Sequence, residues 1–110
     1  MKKFNLDNFV RGWFVGDFEP SIFRTKEIEV GIKNYNKGDK EPVTVHKETW
    51  EITVIIFGSV RMYNHILNKN EIILLEPNDI SEFECLEDSC LLVVKYPSNP
   101  LDKYEIINQN

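Results

Sequence analysis

The chain alternates short apolar runs with polar, turn-forming sequences along most of its length, and hardly any stretch shows helical periodicity. This pattern is typical of a β protein. It predicts eight short strands, over Ser21 to Thr25, Glu27 to Tyr35, Val43 to His46, Glu51 to Phe57, Val60 to Tyr63, Glu71 to Glu76, Ser81 to Cys85 and Leu91 to Tyr96. Between them lie turn sequences such as NKGDKEP, Gly58-Ser59, NKN and EPND. Only Leu6 to Val10 has features of a short helical turn, with Asp7 near its start.

Eight short strands in 110 residues must close into a barrel or a two-sheet sandwich, because an open sheet would leave one apolar face in water. A small jelly-roll barrel meets that requirement, so we predict an all-β fold of this kind. Barrels of this type hold small ligands in a concave mouth lined by alternate residues of each strand. The alternation predicts a pocket lined by Thr44 and His46, by Glu51, Thr53 and Ile55, and by Ser81 and Phe83.

His46 and Glu51 are five residues apart, so a regular strand would place them on opposite faces. The turn-prone residues 47–49 between them must therefore reset the register if both side chains are to enter one cavity. Outside that segment, the sequence places His65 in a solvent-facing loop. Lys33 and Lys95 lie on predicted strands, where each side chain points into the pocket or reaches the surface; exposure is the favoured alternative, as it is for Arg61.

The segment from Gly38 to Gly58 resembles the first motif of the cupin family, in which a glycine is followed by two histidines one residue apart, a glutamate and a second glycine. His46 and Glu51 fall on this pattern, while Thr44 holds the position of the first histidine. The stretch NEIILLEPNDISEFE is similar to the family's second motif, whose histidine would fall near Ser81. The resemblance extends over residues 30–95 and implies a double-stranded β-helix, the jelly-roll barrel of cupins.

Cupins commonly hold a divalent transition metal with three histidines and the motif glutamate. This sequence keeps His46 and Glu51 only, and threonine or serine hydroxyls are poor ligands for iron, zinc or nickel. We therefore expect no cofactor, with a metal held loosely by His46 and Glu51 as the disfavoured alternative. Without a metal, His46 is the natural proton-transfer group, since its ordinary pKa of ~6.5 lies near working pH, and Glu51 would orient it.

The resemblance implies three kinds of function. The first is acid–base chemistry on a carbohydrate or sugar nucleotide, in the manner of cupin-fold isomerases and epimerases, with His46 and Glu51 as catalytic residues and Thr44, Thr53, Ser81 and Phe83 binding the ligand. The second is a non-catalytic module that binds or senses a metabolite. The third and weakest is a metal-dependent cupin enzyme.

Length, charge and apolar content limit the kinds of partner that the chain is expected to bind. A length of 110 residues with 42% hydrophobic content fits one domain, residues 1–110, with one core. A net charge of −5 works against binding to nucleic acid or anionic lipid. The longest apolar run, over 52–57, is far shorter than the ~20 residues of a membrane helix. The start MKKFNLDNF has no apolar signal region, so we expect a cytoplasmic protein without a membrane partner.

The two ends of the chain also allow structural predictions. The aromatic segment RGWFVGDFEP places residues 1–20 as a strap across the barrel or against a partner subunit, and residues 101–110 as a flexible tail. The resemblance to small cupins implies a homodimer.

The sequence FECLEDSCLLVV predicts a hairpin that turns at Glu87 and Asp88 and sets Cys85 opposite Cys90. Two free thiols are preferred over a disulfide in a reducing cytoplasm.

Overall fold

A computed structural model of the chain describes residues 1–107 and consists of strands with one short 3₁₀ turn at Leu6–Asn8. The eight strands are β1 Trp13–Val15, β2 Glu29–Tyr35, β3 Lys40–Val45, β4 Trp50–Met62, β5 His65–Asn68, β6 Ile72–Leu75, β7 Ile80–Tyr96 and β8 Tyr104–Glu105. The predicted all-β fold is confirmed. Among residues 1–107, no helix has the length and apolar character needed to cross a bilayer.

Strand β7 organises the sheet because it has neighbours on both sides for most of its length. One side pairs with β3 near Ser81 and with β2 from Ser89 to Lys95. The other side pairs with β4, which also binds β5 and β6. The short strands β1 and β8 continue the sheet beyond β2 and β3. All pairs of strands are antiparallel, and the sheet bends around one interior.

The interior is apolar over one part and polar over another. Its apolar part is a single cluster of buried residues, namely Ile55, Val60, Met62, Leu67, Leu75, Phe83, Cys85, Leu91 and Val93. Four members of that cluster also line the main cavity, namely Met62, Phe83, Leu91 and Val93. The core therefore forms the floor on which the polar site rests.

The sequence Gly58-Ser59, predicted as a turn, is instead an irregularity inside one long strand, β4. Buried positions are odd-numbered from Glu51 to Ile55 and even-numbered from Val60 to Met62, and the pairing with β7 shifts register between these stretches. Gly58 lies at this point with φ +94°, a left-handed conformation that glycine adopts without strain. The bulge changes which face of β4 points inward without ending the strand.

The predicted hairpin at Glu87 and Asp88 is wrong, because the chain runs straight through these residues as part of β7. Cys85 pairs with Val60 and Cys90 with Phe57, so the two cysteines lie along one strand rather than opposite each other. Both are free thiols. Pairing with β4 on either side of the turn-prone residues holds the chain extended.

Two further strand predictions differ from the structure. Residues 21–25 are not a strand: they contact the β1 region through isolated hydrogen bonds from Ile22 N–H to Phe14 O and from Thr25 N–H to Gly16 O. His65 begins strand β5, which the sequence analysis missed, although its side chain is exposed as predicted.

Part of the segment predicted as a flexible tail is packed. Asp102 is buried, and β8 pairs with Thr44 and Val45 of β3. These contacts form because the carboxylate of Asp102 accepts hydrogen bonds from the backbone N–H groups of residues 47–49. Residues 108–110 of the predicted tail lie outside the described residues. At the other end, the predicted strap contributes β1 and adjoining residues to the edge of the sheet.

The convex side of the sheet carries a broad apolar surface, which we call the outer face. It spans four neighbouring strands and consists of Val30 and Ile32, Leu92 and Val94, Ile52, Val54 and Ile56, and Ile72 and Leu74. These positions alternate with the residues that line the interior. Ile72 is 63% exposed and Leu74 is 48% exposed.

Candidate functional site

A cavity of about 440 Å³ opens inside the bent sheet. It is lined by six of the seven residues that the sequence predicts as a pocket, namely Thr44, His46, Glu51, Thr53, Ser81 and Phe83. The seventh prediction, Ile55, is wrong, because its side chain is fully buried in the apolar core. The six lining residues come from β3 and the residue that follows it, His46, and from β4 and β7, where alternate positions face inward. Two segments outside the long strands complete the lining, one within residues 10–19 and the other within 99–103. Placement in one cavity is thus settled for these six, while their roles remain predictions.

His46 follows β3 and is held in one orientation by the backbone. Its Nδ1 atom is hydrogen-bonded to the carbonyl oxygen of Asp102, and a carbonyl only accepts, so Nδ1 carries a proton. The other ring nitrogen, Nε2, points to Glu51 Oε1 at 3.7 Å. Both side chains are almost fully buried. The ring therefore presents Nε2, the atom able to exchange a proton, to the cavity.

Asp102 also builds the turn that brings His46 and Glu51 together. Its carboxylate accepts hydrogen bonds from the backbone N–H groups of Lys47, Glu48 and Thr49 at 2.9, 3.0 and 2.9 Å. The hydroxyl of Thr49 donates a further bond at 2.7 Å. Burial raises the pKa of Asp102, but these donors outweigh it and lower the pKa to about 2. The register reset predicted over residues 47–49 is present, and an anion from the C-terminal segment stabilises it.

Glu51 sits between two cationic groups. Its Oε1 atom is 3.7 Å from His46 Nε2 and 3.8 Å from Lys95 Nζ, and Thr53 Oγ1 donates to Oε2 at 3.4 Å. Burial acts to raise the pKa of Glu51, but His46 and Lys95 together lower it below its ordinary value. Conversely, the carboxylate of Glu51 raises the pKa of His46. The Asp102 carbonyl raises this pKa further, whereas burial acts to lower it.

The chemical consequence is a single mobile proton at Nε2 of His46. With the proton present, an imidazolium faces a carboxylate; without it, a lone pair faces the cavity and Glu51 stays ionised beside Lys95. The pair can therefore donate or accept one proton without burying an uncompensated charge.

Several cavity residues were not nominated from the sequence. Tyr35 donates its hydroxyl hydrogen to Glu41 Oε1 at 2.8 Å, and Glu29 accepts from the hydroxyl of Ser98 at 3.1 Å. Burial, with Glu41 nearby, raises the pKa of Tyr35. Alternation along β2 would have found Glu29 and Tyr35, since both occupy inward positions of that strand. No local sequence signal marks Asp102.

Of the three strand cations whose direction the sequence left open, two line the cavity. Lys33 and Lys95 face inward, whereas Arg61 is directed to Glu82 and Glu84 at 3.4 Å from each, outside the cavity. The favoured surface placement therefore holds for Arg61 and is wrong for Lys33 and Lys95, because both occupy odd-numbered, inward positions of their strands.

The donor set does not fit the metal centre that cupins commonly hold. Among residues 1–107, no three histidine, cysteine, aspartate or glutamate side chains converge on one point. Thr44 and Ser81 contribute only neutral hydroxyls where the family motifs have histidines. In addition, the Lys95 ammonium stands 3.8 Å from Glu51, where it already compensates the carboxylate's charge.

Comparison with known proteins gives a fold but no sequence family. No family model and no curated protein matches the chain. A conserved Klebsiella pneumoniae protein with a double-stranded β-helix domain superposes with TM-score 0.69 and 16% identity, over 98% of this chain and 99% of that one. An RmlC-like cupin from Shewanella frigidimarina gives TM-score 0.61 and 15% identity, over 71% and 72% of the two chains.

An enzyme of known activity shares the same architecture. Oxalate decarboxylase from Bacillus subtilis gives TM-score 0.65 at 12% identity, covering 74% of this chain and 24% of that one. At such low identities the likeness concerns the fold alone. The chain has the double-stranded β-helix fold of small cupins, as the motif resemblance implied.

Proposed function

We propose that this protein binds a carbohydrate or sugar nucleotide in the cavity and transfers a proton to or from it without a metal, as an isomerase or epimerase does. His46 is the proposed acid or base, and Glu51 is its ionised partner. The observation that carries the proposal is the orientation of His46: its Nδ1–H is bound to the Asp102 carbonyl, so Nε2, which lies 3.7 Å from Glu51 Oε1, is the ring nitrogen that can exchange a proton.

The rest of the lining supports a polyhydroxylated ligand. Thr44, Thr53 and Ser81 offer hydroxyls that both donate and accept hydrogen bonds. Phe83 contributes flat apolar surface of the kind on which a sugar ring stacks. A cavity of about 440 Å³ accommodates a small metabolite.

The test is solvent deuterium incorporation, followed by ¹H NMR, into a panel of aldoses, ketoses and nucleoside diphosphate sugars. We expect one member to lose a carbon-bound proton signal, and His46→Asn to slow that exchange at least about 100-fold. Because the base must be unprotonated, the rate should rise as pH passes through the pKa of His46, which lies above 6.5.

The matched control for that test is His65→Asn, which changes the other histidine, exposed on β5. It should leave the exchange rate unchanged. Exchange that survives His46→Asn would remove His46 from the proposed role.

A second function, a binding or sensing module without turnover, is favoured by one observation. The raised pKa of His46 and the adjacent carboxylate favour an imidazolium, which is also a good fixed hydrogen-bond donor to a ligand. Such a module would be stabilised by the ligand without exchanging protons. Ligand at 100 times its dissociation constant adds about 2.7 kcal/mol to the free energy of unfolding, which a thermal-shift screen detects.

We also propose that the outer face is covered by a second copy of this chain. The residues of that face are all apolar, and apolar patches of several strands are uncommon on monomers. A two-fold contact places the face against itself, and an apolar face is complementary to its own copy without any charged group.

The oligomeric proposal predicts that Ile72→Asp converts a dimer to a monomer in size-exclusion chromatography with light scattering. Ile72 lies within the outer face and is 63% exposed. The matched control is Ile66→Asp, at a side chain 55% exposed on β5 and opposite Arg61, away from that face. The proposal would be contradicted if the wild-type chain elutes as a monomer. It would also be contradicted if the two substitutions disrupt the dimer equally.

A further inference from the structure

Two lysines converge on one aromatic ring inside the cavity. Lys33 Nζ lies 5.3 Å and Lys95 Nζ 5.0 Å from the centre of the Trp13 ring. The indole can lie there because Gly31 has no side chain: a Cβ at that position would come within 2.6 Å of Trp13 Cε3. Strands β1, β2 and β7 thus assemble a flat ring with two ammonium groups over it.

Bringing two ammonium groups together is unfavourable unless an anion compensates them. Lys95 has Glu51 at 3.8 Å, and that carboxylate is shared with His46. Within residues 1–107, no carboxylate lies within ion-pair distance of Lys33, whose Nζ instead donates to the carbonyl of Arg11 at 2.7 Å. Burial, together with the charges of Arg11 and Lys95, lowers the pKa of Lys33, although Glu41 opposes this.

The backbone beside these lysines adopts an unusual conformation that includes a cationic residue, Arg11. Arg11 has φ +51°, which is uncommon for a residue with a side chain, and Gly12 follows with φ +83°. A Cβ on Gly12 would overlap the carbonyl oxygen of Ile32, and Ile32 N–H is bound to Gly12 O at 3.1 Å. The tight turn places Arg11 in the cavity lining and its carbonyl on Lys33. Conformations of this kind persist where surrounding structure holds them, commonly at ligand sites.

We infer that Lys33 and Lys95, with Arg11 beside them and Trp13 beneath, form an anion subsite that binds a carboxylate or phosphate group of the ligand. The inference deepens the proposed function, on which it rests for the location of the ligand: the substrate is then an acidic or phosphorylated sugar rather than a neutral one. The anion supplies the counter-charge that Lys33 lacks, and its placement over Trp13 sets the remainder of the molecule toward His46.

The test uses the two compact anions inorganic phosphate and malonate, titrated at constant ionic strength while ¹H–¹⁵N NMR follows the indole N–H groups. We expect saturable shifts of the Trp13 signal and none of the Trp50 signal, because Trp50 stacks on Tyr96 away from the cavity. A stronger response to phosphate or to malonate identifies which anion the subsite prefers.

Lys33→Met should weaken this binding at least about tenfold, since it removes a charge-assisted bond, whereas Lys69→Met, in an exposed turn, should leave it unchanged. An unshifted Trp13 signal, or equal affinity in the Lys33→Met variant, would overturn the subsite. The His46→Asn variant separates the two proposals: it should bind both anions normally while losing deuterium exchange. Exchange on a neutral sugar without anion binding would overturn the subsite and leave the proposed function standing.

Discussion

Replacing Asp102 with alanine is expected to lower the free energy of unfolding by about 3 to 5 kcal/mol. The carboxylate accepts three backbone N–H bonds and one hydroxyl bond from the turn at 47–49, and alanine would leave these donors without a partner. The variant should also free the ring of His46, since the Asp102 backbone would no longer be held against it. Urea unfolding gives the first quantity, and the His46 ring signals in NMR give the second.

Asp102→Asn is the matched variant for the charge, and its effect should depend on pH. The folded-state pKa of Asp102 is about 2, below its ordinary value of 3.8. A depressed pKa means that the ionised form stabilises the fold above about pH 4, and that this stabilisation, about 2 kcal/mol, is lost as pH falls toward 2. The wild-type protein should therefore lose stability over that window, while Asp102→Asn should show a flatter acid limb. Equal losses in both proteins would assign the acid sensitivity to other carboxylates.

Gly58→Ala is expected to destabilise the fold by about 3 kcal/mol or more. The residue has φ +94°, and a Cβ there would lie 2.5 Å from Asp88 O and 2.7 Å from Ser89 Cα. Two of the clashing atoms belong to the backbone of β7, which cannot move without breaking its pairing with β4. The cost therefore combines conformational strain with steric overlap.

Gly38→Ala separates these two contributions. Gly38 has almost the same conformation, φ +93°, but nothing lies within 4 Å of an added Cβ. It should cost about 1 kcal/mol, from backbone strain alone. Thermal and urea unfolding of the two variants in parallel measure the difference. If both variants lose the same stability, the close approach of β4 and β7 at Gly58 has no energetic weight.

The sequence predicted the fold and the lining of the cavity because both depend on alternation. Thr53 and Glu51, like Ser81 and Phe83, are two residues apart on strands, and a period of two fixes their common face without knowledge of the partner strand. The motif spacing added the relation of His46 to Glu51 across a turn. These relations join residues that are close together in the sequence, so a single sequence is enough to predict them.

The errors arose where pairing with distant residues decided the local conformation. Turn-prone residues at Glu87 and Asp88 remain extended because β4 pairs on both sides of them. Gly58 was assigned to a turn for its residue type, yet it forms a bulge within a strand. Asp102 is separated from its partners in the 46–49 segment by more than 50 residues, and one unaligned sequence holds no information about such contacts.

The sequence does not decide the inward direction of Lys33 and Lys95, for a related reason. Long cationic side chains reach water from many positions, so alternation alone assigns them weakly. Their direction becomes clear once Trp13 is seen lying on Gly31, a contact between strands β1 and β2.

The two segments that complete the cavity lie at opposite ends of the described chain and outside the long strands. Residues 10–19 and 99–103 contribute Arg11, Trp13 and Asp102 to the lining, whereas the central strands supply its apolar floor and Glu51. The two segments differ in one respect, because Asp102 also holds the ring of His46 and the turn at residues 47–49. Exchange of residues 10–19 between related barrels, by recombination or by design, would therefore reshape the lining around Trp13 without altering that turn, whereas any exchange of residues 99–103 would have to keep Asp102.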